Sequence, residues 1–275
     1  GGEKEDRKVS EFFKGNELLR YFEALNCKKI SYKPQNLATL SVDVVAMDLL
    51  KERGKISEIK NLAERLGVAN ILDNKMNKLS GGELQRIAIL AASLGDSDIY
   101  FFDEPLAYLD IGERLRVSDF IKELGKNKSV VVVEHDLLIL DYLTDYLNIF
   151  SGGQGVYGIV SGLKSSKNGV NAYLQGFLKE ENLRIRDKEL IFNFTKNSLN
   201  SGAKIAEWPD FNLKFEDSGF ELKVKGGEIH QNHVVGVLGK NGTGKTSFFR
   251  ALFGELETDK GNLDLILEIS YKPQY

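Results

Sequence analysis

Eight consecutive residues late in the chain, Gly239-Lys240-Asn241-Gly242-Thr243-Gly244-Lys245-Thr246, have the composition of a phosphate grip. Glycines let successive backbone N–H groups converge on anionic oxygens, and a helix opening there adds about half a positive charge. The spacing is the full G-x-x-x-x-G-K-[ST] pattern. An apolar run at 233–238 predicts a strand before it, and 247–253 predicts a helix after it. In such a loop Lys245 reaches the β and γ phosphates and the Thr246 hydroxyl ligates Mg²⁺. Asn241 and Ser247 belong to the same loop and helix start.

A second set of residues stands earlier. Leu79-Ser80-Gly81-Gly82-Glu83-Leu84-Gln85-Arg86 is a Ser-Gly-Gly turn opening a helix. It reads either as an ordinary N-cap with Glu83 closing a capping box, or as an anion site built on helix amides. Further on, an apolar strand ends in Asp103-Glu104-Pro105, an acid pair at the edge where parallel sheets present catalytic groups. Asp103 suits a Mg²⁺ held through its water shell, and Glu104 suits polarising a water for attack. The next apolar run ends in Val133-Glu134-His135-Asp136. A lone His at a strand end is commonly structural. Beside the acid pair, His135 becomes a candidate to touch a γ-phosphate or fix the water.

These groups need an α/β scaffold. Residues 98–102 and 130–133 are short continuous apolar runs, the pattern of buried parallel strands. Helical spacing over 111–124, with helices expected at 82–94 and 136–146, puts crossovers between them. Residues 151–170 are rich in Gly and Ser and suggest a boundary, and 194–204 form a second polar stretch.

One repeat organises the chain. Ile30-Ser31-Tyr32-Lys33-Pro34-Gln35 recurs 239 residues later as Ile269-Ser270-Tyr271-Lys272-Pro273-Gln274. That distance fits a large domain rather than a solenoid, and predicts the later part of one domain copy followed by the opening of a second. The chain opens on Gly1, which fits a piece of something longer.

The composition narrows the setting. In 275 residues, Lys plus Arg is 37 and Asp plus Glu is 40, giving a net charge of -3. Bulk charge therefore does not coat nucleic acid, although a local basic patch remains open. A single cysteine, Cys27, excludes an internal disulfide or a Cys-ligated cluster made by this chain alone. Apolar runs stay far below the ~20 residues of a bilayer span. No signal segment is seen, so a cytoplasmic location without a membrane partner is the expectation.

Together these motifs resemble the ATP-binding cassette ATPases. LSGGE-LQR at 79–86 is similar to the family signature, FFDEP at 101–105 to its Walker B strand with the catalytic Glu, and EHD at 134–136 to its switch histidine. Gln35 and Gln274 resemble the Q-loop glutamine, which in the family senses Mg²⁺ and the reactive water. The resemblance implies a P-loop NTPase fold, with a parallel-sheet core and a helical subdomain, using ATP and Mg²⁺. Ser80, Gly81, Gly82 and Glu83 would hold nucleotide, as would the phosphate loop from Gly239 through Ser247, including Gly242 and Gly244. Thr246, Gln274, Asp103 and Gln35 would face the metal. Glu104, His135, Gln35 and Gln274 would be catalytic. In the closed family arrangement a phosphate loop faces the other cassette's signature turn. Trp208 stands where an aromatic stacks on adenine, with core packing as the other reading and Phe211 and Phe215 as rivals.

Within that family the wording resembles subfamily E, the ribosome-recycling ATPases of the RNase L inhibitor type. The residues concerned are Tyr32-Lys33-Pro34-Gln35, the segment Phe12–Leu18 with Tyr21-Phe22, Ala107-Tyr108-Leu109-Asp110, Gly155–Val160 and Glu181–Arg186. This implies a first cassette part over 1–150 with a helix-loop-helix insert at about 8–27. It also implies an inter-cassette hinge over 151–195 and the opening of a second cassette over 196–275. A single circularly permuted cassette is the alternative. The implied role is splitting of ribosomal subunits, with the small subunit and translation factors as partners. Lys4, Arg7, Lys8, Lys14 and Arg20 would touch rRNA or form an ordinary solvated face. A transporter or DNA-repair ATPase is the alternative function. Iron–sulfur clusters and the remaining cassette portions would belong to the intact parent, and this stretch alone would turn over little. Leu106 departs from the Ser or Thr usual in the family.

Overall fold

In the computed structural model the described residues are 28–153, 155–191, 202–216, 218–263, 270 and 272. Gln274, the insert at 8–27 and the basic residues of 4–20 lie outside them. The chain divides into two compact units, residues 1–191 and 192–275.

The first unit is built on a three-stranded parallel sheet in the order β1 (Ile30–Lys33), β2 (Ile99–Asp103), β3 (Ser129–Val133). The register sets Lys33 opposite Phe102 and Asp103 opposite Val133, so all three strands end along one edge. Ahead of β2 run α1 (Ala46–Lys51), α2 (Ile56–Leu66) and α3 (Gly81–Ser93); α4 (Ile111–Gly125) joins β2 to β3. One face of the sheet, with Tyr100 and Phe102 at its centre, packs into a continuous core with Leu50, Ile59, Leu66, Met76, Ile87, Leu90 and Ile121. The other face keeps Ile30, Tyr32, Val131 and Val133 exposed among the described residues.

Local chemistry places the helix starts. Ser80 caps α3 in a reciprocal box with Glu83, and Asp110 does the same for α4 with Glu113. Gly67 ends α2 in the left-handed region at φ 67°, where Val68 N–H reaches back to the Ala63 carbonyl at 2.8 Å. The helix expected over 136–146 is shorter, α5 (Leu137–Leu143). Thr144 stops it by directing both its N–H and its hydroxyl to the Leu140 carbonyl, at 3.0 and 2.8 Å.

The Gly- and Ser-rich stretch folds as an antiparallel hairpin, β5 (Phe150–Gly153) with β6 (Tyr157–Val160). It is preceded by β4 (Tyr146–Leu147), which pairs with β7 (Lys164–Ser165). Then come α6 (Ser166–Gln175) and the short pair β8 (Phe177–Leu178) with β9 (Leu183–Arg184). No helix among the described residues is long and apolar enough to cross a membrane.

The second unit holds two antiparallel pairs, β10 (Lys204–Trp208) with β13 (Gly227–His230) and β11 (Phe211–Phe215) with β12 (Phe220–Val224). Helix α7 (Lys245–Leu252) packs Ala251 and Leu252 against Phe211 and Leu213. The strand predicted at 233–238 is not formed: Val234 is fully exposed and Leu238 is 85% exposed. A buried parallel strand takes its hydrogen bonds from neighbours on both sides, and among the described residues no strand pairs with 233–238.

Candidate nucleotide site

In the first unit, three sequence-predicted groups meet at the carboxyl edge of the sheet. Gln35 follows β1, the pair Asp103-Glu104 closes β2, and Glu134-His135 follows β3. Asp103 accepts a hydrogen bond from the Tyr32 hydroxyl at 3.2 Å. Partial desolvation and this bond both raise the Tyr32 pKa. Glu104 takes a left-handed backbone, φ 45°, which is uncommon for a residue with a Cβ. Its N–H donates to the Val133 carbonyl at 2.9 Å, and its own carbonyl accepts from Gln85 Nε2 at 2.6 Å and Lys33 Nζ at 3.3 Å. Glu134 holds the turn from the β3 side, its Oε1 accepting from Leu106 N–H at 3.0 Å. Leu106 itself is buried, so its side chain offers nothing to a facing surface. His135 and Gln35 are both exposed at this edge.

The Ser-Gly-Gly turn is joined to the same edge. Ser80 donates through both its N–H and its hydroxyl to Glu83 Oε2, each at 2.8 Å, which leaves the turn ordered and exposed. The capping reading is therefore realised, with Ser80 and Gly81 exposed at the start of α3. Gly82 is buried, and a Cβ on it would lie 3.0 Å from the Tyr108 carbonyl oxygen. Gly81 lies against the Tyr108 ring. Arg86, nearly buried, donates to the Gly67 carbonyl at 2.9 Å and pairs with Glu113 at 2.8 Å, tying α2, α3 and α4 together.

Lys33, Gln85 and Arg86 lie inside the motifs, which give them no role of their own. Lys33 is 1% exposed and Gln85 is 0% exposed. Burial pushes the Lys33 ammonium down to about 8, against the opposing pull of Asp103, Glu134 and Glu104.

The second unit carries the phosphate loop. Gly242 and Gly244 have φ of 73° and 89°, conformations that Gly alone adopts readily. Gly244 is the N-cap of α7, with Phe248 N–H reaching its carbonyl at 2.8 Å. Lys245 folds its ammonium back onto the loop, donating to the Gly239 and Lys240 carbonyls at 2.6 and 2.5 Å. Thr243 closes the loop through its hydroxyl to the Lys240 carbonyl at 2.8 Å. Asn241 and Thr246 are exposed, and Ser247 is half-buried in the first turn. Trp208 is half-buried, meets Phe248 edge-on at 5.6 Å, and donates its indole N–H to the Lys225 carbonyl at 3.1 Å. Phe211 is buried in the core, which removes it as an exposed stacking surface. The hairpin strands β11 and β12 were not anticipated, although Phe211-Asn-Leu213-Lys-Phe215 and Phe220-Glu-Leu222-Lys-Val224 alternate with period two.

A family model described as ABC transporter matches residues 8–107 and 222–272. An uncharacterised ABC transporter ATP-binding protein of Methanocaldococcus jannaschii is 44% identical over 97% of this chain and 45% of its own length. Translation initiation factor RLI1 of Saccharomyces cerevisiae is 36% identical over 98% of this chain and 46% of its own length. Among solved structures, the archaeal ribosome recycling factor aABCE1, in complex with the archaeal ribosomal stalk protein aP1, is similar with a TM-score of 0.86. It is 40% identical, with 98% of this chain and 53% of that chain covered. The chain thus spans about half the length of the curated relatives it matches.

Proposed function

Because the chain belongs to the ATP-binding cassette family, whose members bind and hydrolyse ATP with Mg²⁺, we propose that it is part of an ATPase that separates or recycles ribosomal subunits. The convergence of Asp103, Glu104 and His135 at one sheet edge, with Glu104 fixed in a left-handed backbone, is the observation that carries the ATPase reading. The likeness to a ribosome recycling factor and to a translation initiation factor, each over 98% of the chain, supports the ribosomal role.

The residues present suit ATP and its metal. The phosphate loop offers the amides at the start of an eight-residue helix, a lysine ammonium already placed over the loop, and an exposed Thr246 hydroxyl. Mg²⁺ takes one or two protein oxygens and completes its shell with phosphate and water, a demand that the exposed Thr246 hydroxyl fits. Bound Mg²⁺ would neutralise charge on the β and γ oxygens as the phosphoryl bond breaks.

Lys245 and the amides from Gly242 to Thr246 hold the phosphates, with Gly239, Asn241 and Ser247 shaping the loop. Trp208 supplies an aromatic edge for the base. Two nucleotide sites are involved: Asp103 and Gln35 of the first unit face the metal of one, and Thr246 and Gln274 face that of the other. At the first unit's site, which is not the one gripped by Lys245, Glu104 takes a proton from the attacking water, and His135 orients that water or meets the γ-phosphate. The turn of Ser80, Gly81 and Gly82, ordered by Glu83, is the surface at the start of α3 that a triphosphate presented to it would meet. The 275 residues by themselves bind nucleotide weakly and turn over well below ~1–10 s⁻¹. Residues 4–20 supply basic side chains to rRNA.

Co-sedimentation with small ribosomal subunits tests the reading, using the protein as its gene encodes it. Binding that requires a non-hydrolysable ATP analogue, and weakens on charge reversal of Lys14 and Arg20, is the expected result. Equal pelleting with and without nucleotide removes the proposal. Loss of ATP hydrolysis on Glu104→Gln, with nucleotide still bound, tests the catalytic assignment separately.

A further inference from the structure

Two buried polar side chains from distant parts of the sequence converge on one turn of backbone. Gln85, on α3, donates to the Glu104 carbonyl at 2.6 Å. Lys33, at the end of β1, donates to the Asp103 carbonyl at 2.7 Å and to the Glu104 carbonyl at 3.3 Å. From the third side Glu104 N–H is held by Val133 at 2.9 Å. The residue so clamped has φ 45°.

Both donors are costly where they stand. The Oε1 atom of Gln85 is buried without a hydrogen-bond partner, a net loss to stability. Its neighbours on the helix, Leu84, Ile87, Ala88 and Ile89, are buried and apolar, so a leucine would suit the packing better. Lys33 places an ammonium in the core at 1% exposure, where removal from water penalises the charge. Packing explains neither residue, and their shared acceptor, the Glu104 carbonyl, does.

A left-handed backbone on a residue with a Cβ persists only when its surroundings fix it. Release of the carbonyl lets the Glu104 peptide rotate toward an ordinary conformation, and the Cα–Cβ direction swings with it. We propose that Lys33 and Gln85 are positioning residues that hold the Glu104 carboxylate at its working angle. This rests on the reading of Glu104 as the water-activating carboxylate. Neither side chain touches substrate in this role; both act through the Glu104 backbone.

The test uses the protein as its gene encodes it and follows ATP hydrolysis with kcat and KM resolved, alongside thermal unfolding. Gln85→Leu is expected to lower kcat about tenfold, since a misplacement near 1 Å can cost as much as ~100-fold. KM for ATP should stay within about twofold and the melting temperature at or above the wild-type value, a combination that a purely structural role does not produce. Lys33→Met should behave alike in kcat, and Lys33→Arg, which keeps a charged donor, should recover most of it. In a Glu104→Gln background, Gln85→Leu should cost nothing more. Unchanged kcat in Gln85→Leu, a raised KM with kcat intact, or an undiminished additional loss on top of Glu104→Gln overturns the proposal. Should Lys33→Met fail to fold, Gln85→Leu decides alone. If Glu104→Gln hydrolyses normally, the catalytic reading falls and takes the positioning role with it. If Glu104→Gln is dead while Gln85→Leu is normal, only the positioning role falls.

Discussion

The Arg86 guanidinium meets the Glu113 carboxylate at 2.8 Å, with the two side chains 9% and 21% exposed. Glu113 uses its other oxygen to accept from Asp110 N–H at 3.4 Å, so one carboxylate both closes the cap of α4 and anchors the helix that begins at the Ser-Gly-Gly turn. Arg86 in turn covers the last carbonyls of α2. Glu113→Ala strands a nearly buried cation and removes one of the two bonds of the capping box together. The loss of stability should be about 3 kcal/mol, the lower part of the range for breaking a buried pair because Glu113 retains some water. Urea denaturation of the variant against wild type measures it; a change inside about 0.5 kcal/mol contradicts the linking role.

Gly82 and Gly81 separate two effects in adjacent positions. Alanine at either gains helix propensity, worth up to about 1 kcal/mol in a helix interior. At Gly82 a methyl would meet the Tyr108 carbonyl oxygen at 3.0 Å, a backbone atom that cannot step aside alone. Overpacking of this kind costs about 1–3 kcal/mol, so Gly82→Ala should destabilise despite the propensity gain. At Gly81 the nearest atoms belong to the Tyr108 side chain at 3.4 Å, an ordinary contact. Gly81→Ala should be neutral or slightly stabilising. Paired denaturation curves decide the order.

The phosphate loop offers a comparable contrast. At Gly244, φ is 89° and a methyl group would sit 3.1 and 3.2 Å from Leu222 and Phe220 atoms, whereas Gly242 at φ 73° has open space around it. A left-handed alanine costs about 1–2 kcal/mol at either site. Gly244→Ala adds steric conflict at the cap of α7, so it should weaken binding of a fluorescent ATP analogue more than Gly242→Ala does. Equal affinities for the two variants would show that the loop relaxes freely around position 244.

Much of the parallel-sheet unit was legible because its signals are local. The continuous apolar runs marked β2 and β3, and the helices expected at 82–94 and 111–124 are found as Gly81–Ser93 and Ile111–Gly125. The strand forecast at 233–238 failed because a run of valines reports affinity for a sheet, while pairing depends on a neighbour that composition does not reveal. The motif residues Asp103, Glu104 and His135 were readable from type and spacing. Lys33 and Gln85 were not, since their roles come from contacts 71 and 19 residues away along the chain. A lysine inside YKPQ and a glutamine inside LQR carry no outward mark of burial.

The second unit has a pH-sensitive contact at its strand edge. His230 Nε2 lies 2.9 Å from Glu228 Oε1, and Nδ1 lies 3.0 Å from the Gly202 carbonyl. The Glu228 carboxylate, then the Gly202 carbonyl, raise the His230 pKa above 6.5, with partial desolvation and then Lys204 opposing, while His230 lowers that of Glu228 below 4.5. His233 is the other titratable ring nearby, at 5.5 Å. A raised histidine contributes fully below its unfolded value and loses its contribution as pH rises through the folded one; a lowered glutamate contributes above its unfolded value and fails as pH falls. The pair therefore supports β10 and β13 most between about pH 4.5 and 6.5. Thermal unfolding of wild type and His230→Gln should differ most near the middle of that window. The difference should close progressively above it, as His230 becomes neutral. A gap independent of pH would mean that the contact is held by packing or by a neutral hydrogen bond rather than by charge.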